Sequence, residues 1–376
     1  MWQGGGFRPR LLAPNPHNRY HGFSKHAISP EALVMIRSRF FLVIALALAA
    51  TLTAQAADAP KYHILRHMAL GGDGGWDYLT YDPAGHRLFI ARSTRVMVID
   101  VAKGQLTAEV VNTPGVHGIA LVPDLGQGYA SNGRENTVTV FDLKDLHEIA
   151  RIKVGDGPDA IVYDPSSKRV FTFNGRGKDT TAIDVATGKI AGTIPLGGKP
   201  EFSAADGKGR MYVNIEDKSE IVEFDPQALK ETHRWKLTGC ESPSGLAMDR
   251  KNRRLFAGCD NKKMTVVNAD TGAVVTTLPI GDGVDANAFD SETMLAFSSN
   301  GEGNLTVVKE DSADKFSVAE TVPTAKGART MALDPETHKV YVVTAKFGPA
   351  PKPTADAPHP RPSILPDSFE VIELGQ

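Results

Sequence analysis

Cysteine is scarce: two residues, Cys240 and Cys259, in a chain of 376. Neither stands in a C-x-x-C or C-x-x-C-H setting, so dithiol redox chemistry and c-type haem attachment are excluded on motif grounds. An excess of either charge is also missing, with 42 Lys and Arg against 44 Asp and Glu. Near-neutrality gives no electrostatic reason to expect nucleic acid or an anionic membrane as partner. Long hydrophobic runs are absent apart from Phe40 to Ala50 (FFLVIALALAA), which falls short of the roughly 20 residues a spanning helix needs. No G-x-S-x-G, H-E-x-x-H, P-loop or EF-hand sequence occurs, so the chain announces no familiar nucleophile, zinc helix, phosphate cradle or calcium loop.

The short apolar run has the surroundings of a secretory signal. Arg37 and Arg39 precede it, and Ala54-Gln55-Ala56 follows as a small-residue cleavage site. The expected organisation is a signal peptide over 35–56, a mature chain from Ala57, and an extension over 1–34 lying ahead of a start at Met35. No cysteine sits at the cleavage point, which argues against a lipoprotein. The expected location is the periplasm or the exterior, with no membrane span left after cleavage. In such an oxidising compartment Cys240 and Cys259 are expected to form one disulfide. Closing a loop of about 20 residues stabilises by roughly 3 kcal/mol in the chain-entropy picture.

What the chain has in quantity is turn residues, 36 Gly and 24 Pro, separating short β-branched and aromatic runs. Pro158 to Gly198 shows the unit: PDAIVYDP, RVFTFNG, TTAIDV and KIAGTIPLGG, each bounded by Gly, Pro, Asp or Asn. One such unit is a four-stranded antiparallel sheet that cannot bury both faces alone. Six more follow the same plan, over 75–115, 116–157, 200–239, 240–283, 284–327 and 328–376. A four-stranded unit recurring about every 40–45 residues predicts an all-β, seven-bladed β-propeller over 57–376. The last unit lacks a fourth strand, and Tyr62–Leu70 is a lone strand at the front. Its pairing with Phe369–Leu374 would close the ring and remove an exposed edge. The pairs Asp82-Pro83, Asp164-Pro165 and Asp334-Pro335 recur at strand ends and read as turn chemistry.

The runs RLFIA, RVFTFNG, RLFAGC and KVYVVT, the strand ends VIDV, VFDL and AIDV, and the hairpins ATGK (Ala186–Lys189) and DTGA (Asp270–Ala273) resemble the YVTN-type repeat family. Within it, the chain is similar to the YncE-like propellers of the bacterial cell envelope, over about residues 61–376. The resemblance implies a fold and leaves function open, since such propellers serve unrelated roles.

In such a propeller the first strand of each blade lines the channel. The loops before the first strand and after the second share one face, here called the top. This geometry implies that Trp76 and Asp77, His117, Asp159, Glu201 with Phe202, Ser242, Asp285 and Arg329 converge on the channel mouth. Crowded carboxylates call for a cation, a partner or raised pKa values. Two readings follow. In one, Asp77, His117, Asp159, Glu201 and Asp285 build a ligand or metal pocket; in the other they cap strand ends and hold water. The top-face loops at Asn132-Gly133-Arg134, Asn174-Gly175-Arg176, Asp260-Asn261-Lys262 and Asn300-Gly301-Glu302 read as Asn-Gly-type tight turns, with Arg134 and Arg176 placed to reach an anion at the mouth. Cys240 and Cys259 both fall on the top side of the fifth blade. A proline-rich insertion with seven prolines, Phe347–Pro366, interrupts the last unit. It reads as a stiff arm on the top face, carrying His359 and Arg361.

The functional expectation is a monomeric binding or scaffold protein, without a cofactor, whose partner is a small molecule, a peptide or an envelope protein. A metal-assisted hydrolase or lactonase-like enzyme is the alternative. Nucleic-acid binding through Arg134, Arg176 and Lys262 is a third reading, opposed by the neutral charge.

Overall fold

A computed structural model describes residues 61–352, 354, 360 and 362–376, together with Gly22. The expected signal segment, and the extension before it apart from Gly22, lie outside these residues, as do His359 and Arg361. Among the described residues no helix is long and apolar enough to cross a membrane.

The described chain forms seven four-stranded antiparallel sheets, six of them built from four consecutive strands. In the seventh, Met331–Asp334, Lys339–Thr344 and Glu370–Gly375 are joined by the N-terminal strand His63–Ala69. That strand pairs antiparallel with Glu370–Gly375, from His63 opposite Gly375 to Ala69 opposite Glu370. The ring is therefore closed as the lone first strand predicts.

Strand position within a blade explains the composition of each strand. The middle strands, such as Arg169–Asn174 and Asp179–Asp184, are buried along almost their whole length. They have a neighbouring blade on both faces, so their sequences run apolar without alternation. The outer strand Lys189–Pro195 is mostly exposed and carries lysine and threonine. The core lies in the seams between blades. Phe89 meets Phe141 at 5.9 Å, Phe171 meets Phe224 at 5.5 Å, and Phe256 meets Phe289 at 5.1 Å, each pair spanning two blades.

First strands end on aspartate in five blades, and in a sixth Asp206 directly follows the strand. Asp164 accepts the backbone N–H groups of Ser166 and Ser167, Asp249 those of Lys251 and Asn252, and Asp334 those of Glu336 and Thr337. For Asp164 and Asp334 these are the turn roles the sequence suggests, while Asp82 holds the Arg87 guanidinium at 2.7 Å. Cys240 and Cys259 are joined by a disulfide, with Cα atoms 5.4 Å apart.

Candidate functional site

The turn aspartates fix a common register for the first strands. Counting back from Asp82, Val122, Asp164, Asp206, Asp249, Asp290 and Asp334, the same position holds Asp77, His117, Asp159, Glu201, Ser244, Asp285 and Arg329. Six of these match the expected ring. The fifth does not: Ser244 occupies the place expected of Ser242. Ser242 lies in the incoming loop with φ of 45°, and its N–H points to Ser219 Oγ at 3.3 Å. Pro243 opens this strand as Pro158 and Pro200 open theirs, which puts Ser244 in register.

The ring residues are not left as a bare crowd of carboxylates. His117 Nδ1 lies 2.5 Å from Asp77 Oδ2 and 3.6 Å from Asp159 Oδ1. Lys199 Nζ bonds Glu201 Oε1 at 2.6 Å and also Glu216. Arg329 Nη1 bonds Asp285 Oδ2 at 2.5 Å, and Ser244 donates to Asp285 Oδ1 at 2.9 Å. Two cations, Lys199 and Arg329, and the His117 imidazole therefore stand among five carboxyl groups. Burial works against charge on His117, yet Asp77 and Asp159 outweigh it and raise its pKa. Burial, helped by Asp77 and opposed by His117, pushes Asp159 up. Burial and Asp159 push Glu201 up against the pull of Lys199. Asp285 is raised by burial despite Arg329. The arrangement relieves part of the repulsion with its own counter-charges and part by favouring protonated acids.

One residue deeper, the same register holds Tyr78, Gly118, Ala160, Phe202, Gly245, Ala286 and Thr330. The small residues bring neighbouring first strands to backbone contact: a Cβ at Gly245 would sit 2.6 Å from the amide nitrogen of Asn287. The two aromatic rings fill what is left. Tyr78 of blade 1 and Phe202 of blade 4 have centroids 4.6 Å apart. Those blades are not neighbours in the ring, so the contact crosses the channel axis and closes it. The Tyr78 hydroxyl has no hydrogen-bond partner among the described residues. Burial and the charges of Asp159, Glu201, Asp77 and Asp285 push its pKa well above the usual tyrosine range. Beyond the rings, Val162, Tyr163, Ala247, Met248 and Phe289 line a separate opening of about 510 Å³.

The top-face side thus ends in a blind, charged basin. Beside it lies a cavity of about 430 Å³ walled by Trp76, Phe347 and Ile364, with Lys326 and Arg329 in its lining. Phe347 and Ile364 pair as an isolated bridge. Gly348 N–H donates to Ser363 and Leu365 N–H to Lys346, so the neck of the proline-rich insertion is a short hairpin.

The Asn-Gly pairs open the turns between second and third strands: the Asn132 carbonyl accepts the N–H groups of Glu135 and Asn136, the Asn174 carbonyl that of Lys178 and the Asn300 carbonyl that of Gly303. Asn132, Asn174 and Asn300 are the buried last residues of second strands. Their side-chain amides donate to Thr139, Thr181 and Thr306 on the next strand. The glycine after each donates its N–H to the preceding inter-blade loop, at Gly115, Gly157 and Gly283. The Asn therefore brackets two strands and the Gly ties two loops, while the left-handed turn positions fall later, at Asn136 and Lys178.

Arg176 is engaged by Asp156 at 3.0 Å, by the Gly133 carbonyl and by Asn136 Oδ1. Lys262 faces Asp282 at 3.2 Å. Arg134 packs against Gly115 and has no ion pair among the described residues. The residues that sequence reasoning missed are Lys199, Glu216, Tyr78 and Lys326. Tyr78 could have been found by aligning the residue after each ring position, where it falls opposite Phe202.

No protein-family model matches the sequence, and no curated protein matches it. Solved structures do share the fold. The structure of U3-55K superposes with a TM-score of 0.68 at 10% identity, covering 84% of this chain and 98% of that one. The crystal structure of RRP9 WD40 repeats gives 0.69 at 10% identity, covering 84% and 99%. A chain of the Mitotic Checkpoint Complex gives 0.66 at 13% identity, covering 98% and 99%. At these identities the likeness establishes the seven-bladed architecture alone.

Proposed function

We propose that this propeller is a secreted or periplasmic binding protein of the YVTN-type, YncE-like kind, which takes its partner on the top face. The observation that carries this reading is the Tyr78–Phe202 contact at 4.6 Å. It floors the channel and leaves a blind basin whose charges are held in place by Asp77–His117, Lys199–Glu201 and Asp285–Arg329. Preorganised polar groups beside an apolar cavity are the usual make-up of a ligand site. The solved neighbours are compatible: one of them is a chain of the Mitotic Checkpoint Complex, so this architecture serves within an assembly there. The protein acts as a monomer and needs no cofactor in this reading.

The test is a thermal-shift and pull-down screen of the full chain against small molecules, peptides and envelope extracts. Glu201→Gln and Arg134→Glu serve as top-face variants, and Lys251→Glu as a variant of the opposite opening. A partner whose effect is lost in the top-face variants and kept in Lys251→Glu supports the reading. An effect lost only in Lys251→Glu overturns it. Cell fractionation tests the location, and a cytoplasmic pool alone would refute it.

A metal-assisted hydrolase or lactonase-like enzyme is the second reading, favoured by one observation. Asp77, His117 and Asp159 each offer a ligand atom, and all lie within 4.8 Å of one another. Two carboxylates and an imidazole suit a divalent transition metal. Titration with Zn²⁺ and Mn²⁺, with and without EDTA, decides it. A rise in melting temperature abolished by Asp159→Ala supports a metal, and a flat response removes it.

A further inference from the structure

The cavity beside the basin differs from the basin in chemistry. Among the described residues that line it none is acidic, while Lys326 and Arg329 are cationic. Trp76 forms an aromatic wall, with Phe369 at 5.6 Å behind it and Phe347 at 6.1 Å beside it. Phe347 lies directly on the backbone of Gly327, where a Cβ would meet its ring at 2.8 Å. Any side chain at that position would displace the ring from the wall. The volume of about 430 Å³ falls in the ~300–1,000 Å³ range of small-molecule sites.

The two cations are differently placed. Arg329 has Nη1 held by Asp285, which fixes the guanidinium and leaves further N–H donors for a ligand. Lys326 is exposed and has no ion pair among the described residues. The acids of the basin next door make a second negative charge on a ligand less favourable than one. A single negative charge on a flat apolar body suits all of these features.

We propose that this cavity binds an aromatic monocarboxylate, its ring against Trp76 and Phe347 and its carboxylate on Arg329 and Lys326. The proposal rests on the top-face reading and names the class of ligand that reading takes. Arg329 supplies the directed donors, since a guanidinium matches a carboxylate fork. Lys326 supplies charge from the rim.

Isothermal titration of the full chain with 2-naphthoate and the neutral 2-naphthamide tests it. Naphthoate is expected to bind at least tenfold more tightly than the amide. Lys326→Glu, an exposed change that leaves the core intact, is expected to weaken naphthoate at least fivefold and to leave the amide unchanged. Trp76→Leu is expected to weaken both. Equal binding of acid and amide, no binding of either, or no effect of Lys326→Glu overturns the proposal. If naphthoate fails while another partner still depends on Glu201 or Arg134, the ligand class is wrong and the top-face reading stands. If no partner responds to any top-face substitution, both fall.

Discussion

The guanidinium of Arg92 lies 3.7 Å from the centre of the Phe369 ring. Arg92 ends the second strand of blade 1, and Phe369 leads into Glu370–Gly375, the strand of blade 7 on which the N-terminal closing strand pairs. Arg92 is fully buried, and its Nη1 and Nη2 reach the carbonyls of Gly72, Asp73 and Gly74 at 2.9–3.1 Å. It thus holds the linker between the closing strand and blade 1 while stacking on the far side of the seam. Burial, with Arg95 adding, lowers its pKa to about 10, which leaves it charged at neutral pH. Gly72, Asp73 and Gly74 are exposed, so water can serve their carbonyls; the cost of removing the buried Arg92 side chain lies in the lost stack on Phe369, about 2 kcal/mol for a desolvated pair, and in the cavity left behind. Arg92→Ala should therefore lose at least about 3 kcal/mol in urea unfolding. Arg92→Lys should recover less than half, because one ammonium cannot span three carbonyls while lying flat on a ring. A loss below about 1 kcal/mol for Arg92→Ala would show that the seam does not depend on it.

The channel plug makes a two-sided prediction. Phe202 packs against residues of several blades as well as against Tyr78. Phe202 is half-buried, so Phe202→Ala should cost roughly 2–3 kcal/mol, below the range for a fully buried ring. Tyr78→Phe keeps the ring and removes only a hydroxyl that has no partner among the described residues and faces four carboxylates. Its effect on the midpoint should be neutral or stabilising by up to about 1 kcal/mol. A large loss in Tyr78→Phe would mean that the hydroxyl is bonded in solution.

The disulfide offers a simpler test. Cys240 and Cys259 are 19 residues apart and both buried. Cross-linking a loop of that length restricts the unfolded chain by roughly 3 kcal/mol. Cys240→Ala/Cys259→Ala should lose about that much, and dithiothreitol should lower the wild-type midpoint while leaving the double variant unmoved. Equal responses of the two proteins to reductant would rule out the bridge.

Much of this was legible in the sequence, for a physical reason. Blade strands are short and local, and their turns are marked by Asp, Gly and Pro, so periodicity alone gave seven sheets and the closing strand. The channel ring was legible because one position per unit repeats in register. It went astray at Ser242 because the loop before the fifth blade is a different length, and only Pro243 marks the true start. The charge partners were not legible. Lys199 belongs to the loop before the fourth blade, and Glu216 to the loop after its second strand. Only the fold brings both to Glu201. The Asn-Gly pairs were legible as turns, but the second task of the Asn was not, since its side-chain amide goes to a buried threonine that only the strand pairing brings opposite.

Glu310 provides a prediction in pH. Its side chain is 2% exposed, with Asn252 Nδ2 donating to Oε1 at 2.8 Å, while Oε2 has no donor among the described residues. Asp249 lies beside it, already accepting two backbone N–H groups. Burial first, then the neighbouring Asp249 charge, raise the Glu310 pKa from 4.5 to about 7 against the opposing pull of Asn252. The folded chain therefore holds a proton that the unfolded chain releases. Stability from this group is fully present below about pH 4.5 and is lost as the pH rises toward 7, after which the deficit is constant. Glu310→Gln supplies a permanently neutral group of the same shape, with an amide where Oε2 lacks a donor. The variant should match wild type at pH 4 and exceed it by about 1–3 kcal/mol at pH 8, a range that follows from about 1.4 kcal/mol per pKa unit. Urea unfolding at half-unit steps from pH 4 to 8 would show the two curves separating across that window. Parallel curves would mean that Glu310 is ionised in the folded protein, and its neighbourhood would then have to supply a donor that the structure does not show.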